Sequence, residues 1–139
     1  MRRLAALLPL LLLVALAGCG ATPSSSSGKF KGQEKAVADT IEALQTDAQS
    51  RKPAKICSDL LTRDLANKLK SGTNDCVDEM EKLTGDADDY DLAVTDVTIT
   101  GDTAVAKVKT GSGDDAPTRD FEFEKEGNSW RATSLGTTS

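Results

Sequence analysis

The stretch DLAVTDVTITGDTAVAKVKT, residues 91–110, decides the fold. Its apolar positions recur with a period of 2 and are mostly β-branched, which suits a pleated, half-buried strand and not a helix. Leu92 and Val94 share one parity while Val97 and Ile99 share the other, so a bulge is expected near Thr95 and Asp96. Thr100-Gly101-Asp102-Thr103 is a turn signal with Gly101-Asp102 as a two-residue loop. Past it, Ala104, Ala106 and Val108 take one face and Val105, Lys107 and Lys109 the other.

Downstream the pattern continues. A Gly/Asp/Pro loop spans Gly111 to Pro117. Phe121 and Phe123 then alternate with Asp120, Glu122 and Glu124, so the aromatic side points inward. Gly127-Asn128 turns the chain into Trp130 and Ala132, with Arg131 outside. Four strands joined by short loops make an antiparallel meander, wet on one face and covered by helices on the other.

Upstream the period is helical. From Gln33 to Ser50, Val37, Ile41, Leu44 and Ala48 form one apolar stripe, ended by Arg51-Lys52-Pro53. Pro53 suits the first turn of a short second helix carrying Ile56, Cys57, Leu60 and Leu61. Thr62 is placed to cap a third piece with Leu65 and Leu69, and Gly72 to Asp75 is a turn. A fourth helix from about Asp75 to Leu83 sets Cys76, Val77, Met80 and Leu83 on one side, with Gly85 at C′. The fold class is therefore α+β, with N-terminal helices packed on a four-stranded antiparallel sheet.

The N-terminus belongs to a different kind of segment. Arg2 and Arg3 precede a 13-residue apolar run, Leu4 to Leu16, broken only by Pro9 and followed by small residues. That is the n-region and h-region of a secretory signal. It is shorter than the roughly 20 residues that span a bilayer of about 30 Å. Leu16-Ala17-Gly18-Cys19 resembles the lipobox of bacterial lipoprotein precursors. The resemblance implies cleavage between Gly18 and Cys19, a diacylglycerol on the Cys19 sulfur, and attachment to the extracytoplasmic face of the cell membrane. The alternative is an ordinary signal peptide that happens to carry a cysteine, and the choice between Sec and Tat export stays open. Residues 19–32, with Ser24 to Ser27 in a row, read as a lipidated cysteine and flexible tether with a reach near 20 Å. The domain follows at 33–136, with a tail at 137–139.

Removing residues 1–18 takes away Arg2 and Arg3 and moves the formal charge from −5 to −7. The apolar share of the remainder falls to about a third, so the core is thin. Cys57 and Cys76 are an even pair in an exported chain and are expected to form a disulfide. In the chain-entropy model a loop of that size contributes about 3 kcal/mol. A redox or metal role is the alternative, but the spacing is not Cys-x-x-Cys.

Composition also restricts function. The 139 residues contain no histidine, which removes Ser-His-Asp and Cys-His nucleophiles and imidazole metal sites. The acidic balance argues against a nucleic-acid partner. Asp86, Asp88, Asp89 and Asp91 have calcium-like oxygen spacing but lack the turn glycine and closing glutamate of an EF-hand, so a solvated loop is the plainer reading, as it is for Asp114-Asp115.

The order of parts, with GDTAVAKV at residues 101–108 and FEFEKEGNSWR at 121–131, resembles small NTF2-like lipoproteins of the actinobacterial type. The resemblance implies a curved sheet wrapped around the helices as a cone with an internal cavity. Met80, Leu83, Phe121, Phe123 and Trp130 are the candidate cavity lining, with core packing as the alternative role. Isomerases of this superfamily need a carboxylate facing a donor such as tyrosine, and Tyr90, the one tyrosine, lies among aspartates. The expectation is a membrane-anchored, non-catalytic envelope module, without cofactor or metal, that binds a small apolar ligand or an envelope protein. An NTF2-like isomerase or dehydratase and a purely structural accessory are the alternatives.

Overall fold

A computed structural model describes residues 26–85 and 91–136. The expectations for Cys19, Asp86, Asp88, Asp89 and Tyr90 fall outside these residues. The described elements are α1 (Gly32–Gln49), α2 (Pro53–Lys55), α3 (Arg63–Lys68), α4 (Cys76–Leu83), β1 (Leu92–Thr100), β2 (Thr103–Thr110), β3 (Thr118–Glu126) and β4 (Ser129–Ser134). The strands form one antiparallel sheet in the order β1-β2-β3-β4. The β1–β2 register shifts between Val94 and Asp96, where the change of parity requires it. Both tight hairpins place a glycine with positive φ first in a two-residue loop, Gly101 at 60° and Gly127 at 63°, as a type II′ turn demands.

Helix α1 buries Val37, Ala38, Ile41, Leu44 and Ala48 against the inner face of the sheet. Each fully buried residue of the Val or Leu type is worth about 1.5–3 kcal/mol, so this stripe holds the helix in place more than intrinsic propensity does. The helix ends in a Schellman arrangement: the Arg51 N–H donates to Ala48 O and the Lys52 N–H to Asp47 O. Arg51 occupies the left-handed position, φ 53°, usually given to glycine.

The expected second helix is only partly helical. Pro53–Lys55 is followed by a wider π turn over Ile56–Leu60, in which the Leu61 N–H donates to Ile56 O. Leu61 is then extended and bridges Ala132 of β4. Pairing with the sheet edge wins over continuing the helix, because β4 would otherwise leave a row of unpaired backbone groups. Thr62 caps α3 by accepting from the Leu65 N–H, and Asp75 caps α4 in a capping box with Asp78. Gly85 sits at C′ of α4 without the positive φ that such a glycine often adopts.

Cys57 and Cys76 are joined by a disulfide, with 6.2 Å between their α-carbons, tying the π turn to the start of α4. Buried Asp47 on α1 is paired with Lys55 of α2 at 3.1 Å.

Residues 26–31, grouped in the sequence with the flexible tether, are partly seated on the domain. A 3₁₀ turn covers Ser27–Lys29. Ser26 Oγ accepts from the Val94 N–H at 3.0 Å, and Lys29 Nζ donates to Thr95 O at 3.2 Å. Gln45 Oε1 accepts from the neighbouring Leu92 N–H at 3.0 Å. These contacts cap the outer side of edge strand β1, which a free tether would leave open to pairing.

Candidate functional site

The helices and sheet do not close equally at the two ends. At the hairpin end, Trp130 and Phe123 are buried in the core, and Trp130 Nε1 donates to Gln33 Oε1 of α1 at 3.1 Å. At the other end, where β1 and β3 begin and β4 finishes, a hollow of about 650 Å³ remains. That lies within the range of about 300–1,000 Å³ usual for small-molecule sites.

The wall is mostly aliphatic and comes from every layer. Leu44 and Ala48 end the stripe of α1, Ile56 opens the π turn, and Leu65 and Leu69 lie along and just after α3. Met80 and Leu83 come from α4, Leu92 from β1, Phe121 from β3 and Leu135 from beyond β4. Among the described residues Lys68, Arg119 and Glu122 are its charged members, and Lys68 and Glu122 are exposed.

Of the residues singled out in the sequence, Met80, Leu83 and Phe121 meet at this hollow. Phe123 and Trp130 are in the packed core and do not border it. Leu83 is 61% exposed, although the helical stripe groups it with buried Cys76 and Met80. It is the last residue of α4, followed by the cap Thr84, whose Oγ1 donates to Met80 O at 2.7 Å.

The sequence reading did not single out Arg119, whose signal is its parity. It shares the face of Phe121 and Phe123, so strand alternation turns a guanidinium toward the helices at the mouth of the hollow. It is half-buried, and among the described residues no acidic side chain pairs with it.

A smaller cleft of about 410 Å³ lies beside the disulfide, between the π turn, α3 and the β3–β4 hairpin. Its Arg131 is committed to structure, with Nε 3.0 Å from Glu126 Oε2 and Nη1 donating to the carbonyls of Ser58 and Leu61. On α4, hydrogen bonds first from Lys82 and then from Asn74 hold the Glu79 carboxyl below the ordinary glutamate range. Asp91 Oδ1 accepts from Gln45 Nε2 at 3.3 Å. Among the described residues there is no cluster of three or more His, Cys, Asp or Glu placed to hold a metal, and no helix long and apolar enough to cross a membrane. Neither a protein-family model nor a curated protein sequence matches the chain.

Proposed function

We propose that this protein is a lipid-anchored, extracytoplasmic binding module of the NTF2-like kind, held to the cell membrane through Cys19, which takes a small apolar ligand and performs no chemistry on it. The hollow at the open end carries the ligand reading: it has ligand-site volume, a mostly aliphatic wall and a few polar groups at its rim. The non-catalytic reading is supported by the wall itself. Among the described residues its one carboxylate, Glu122, is exposed, and the described lining has no tyrosine or histidine to set opposite it as an acid–base partner. The anchor reading rests on the Leu16–Cys19 motif after a short apolar run. Several acyl chains on one cysteine hold a protein far more firmly than a single chain does.

Cys19→Ala tests the anchor in cells. Acylation and membrane fractionation are both expected to disappear, and survival of either contradicts the lipobox assignment. Filling the hollow tests the ligand reading. Ala48→Phe is expected to abolish uptake of a neutral apolar fluorophore while the fold persists, and unchanged uptake removes the hollow as its site.

A further inference from the structure

We propose that the hollow selects a single-chain amphiphile with an acidic head group, a long-chain carboxylate or alkyl phosphate, and that Arg119 is the residue that meets the head. The inference rests on the ligand-binding reading above and adds the chemical class. Four observations carry it.

Arg119 stands on the inner face of β3, two residues before Phe121, where alternation otherwise places buried aromatic side chains. A guanidinium partly withdrawn from water costs free energy unless an anion meets it. Among the described residues none does, and the nearest carboxylate in sequence on the hollow, Glu122, is exposed and of the opposite parity. A guanidinium is also suited to this task, because its fork binds a carboxylate or phosphate through two parallel hydrogen bonds.

The Arg119 stem is held from one side. Gly136, at φ +84°, lies so close that a β-carbon there would come within 2.9 Å of the Phe121 ring, 3.0 Å of Arg119 Cβ and 3.2 Å of its Cδ. The turn after β4 thus lies close against the aliphatic stem of Arg119 and the Phe121 ring together. Lys68, at the end of α3, adds a second positive charge, so among the described residues the lining carries two cations against one acid. An apolar chain lying against Leu65, Leu69, Met80 and Leu135 would leave its head at this positive rim. A cationic head would meet the wrong sign.

The test is a displacement titration of the full-length protein loaded with N-phenyl-1-naphthylamine, a neutral apolar fluorophore. The competitors are decanoate, decyl phosphate, decanol and decyltrimethylammonium. The two acids are expected to displace the fluorophore at concentrations at least tenfold below decanol, as a charge-assisted hydrogen bond implies. Arg119→Gln is expected to bring acids and alcohol within about twofold of each other, with decanol still displacing the fluorophore from the hollow. Arg119→Lys retains part of the preference. If decanol or the ammonium compound matches decanoate, or Arg119→Gln leaves the preference in place, the head-group assignment is overturned while ligand binding stands. If the protein takes up neither fluorophore nor competitors, the ligand-binding reading itself falls and takes the assignment with it. A preference for decyl phosphate over decanoate, or the reverse, identifies which acidic head the site takes.

Discussion

Phe123 and Phe121 sit two residues apart on the same face of β3, each 1% exposed, yet their surroundings diverge. Phe123 pairs across the sheet with Ala104 and Ala132, beside the end where Trp130 is pinned to Gln33 at the start of α1. Phe121 looks into a hollow whose far wall is made of two short helices and the π turn. The eighteen-residue α1 runs past both, so the difference comes from what lies beside its second half. A thin core is thus spent unevenly: one end is filled for stability, and among the described residues the helices at the other are too short to close it.

Truncating each ring in turn separates the two ends most sharply. Phe123→Ala is expected to cost about 3–5 kcal/mol in urea denaturation, because a new cavity opens in packed surroundings. Phe121→Ala is expected to cost at least about 1 kcal/mol less, since the buried ring lines the hollow and the space it vacates joins a void that already exists. Equal losses would mean that the hollow is filled in solution.

Next in size is the disulfide. Replacing Cys57 and Cys76 by Ser is expected to cost about 3 kcal/mol. Hydrogen exchange should sharpen the contrast, because the bond ties the π turn to α4, two walls of the hollow. Amides of α3 and α4 should lose protection before those of β2 and β3, and uniform loss would contradict separate behaviour of the two ends.

The smallest effect concerns acid. The folded-state pKa of Glu79 is lowered, chiefly by Lys82. It therefore contributes stability that is present above the unfolded value of about 4.3 and is lost as pH falls through the lower folded value. Glu79→Gln should lower stability slightly near neutrality and leave it unchanged at pH below the folded value, so that the acid limb of the stability curve is flatter. An unchanged acid limb would contradict the assignment.

How much of this was legible in the sequence depends on the element. Period-2 patterning placed the four strands, the bulge near Thr95 and Asp96 and both glycine-led hairpins, because these depend on local parity and turn chemistry. The caps at Thr62 and Asp75 follow from local hydrogen bonding in the same way. The π turn was not legible: Leu61 leaves the helix to pair with Ala132, a partner 71 residues away that periodicity cannot see. The hollow was half legible. The inward parity of Phe121 pointed to it, but the same rule admitted Phe123 and Trp130, which are packed, and the exposure of Leu83 depends on where α4 stops relative to its neighbours. Arg119 was present in the alternation but stands next to the Gly/Asp/Pro loop, where a charge draws no notice.

On the proposed reading the end with the hollow receives the ligand and the packed end does not. Methyl-resolved NMR of the protein titrated with decanoate tests this directly. The account predicts shifts at Leu65, Leu69, Leu83 and Leu135, with Val37 and Val97 unmoved. Shifts centred on Val37 and Val97, or none at saturating decanoate, would contradict it.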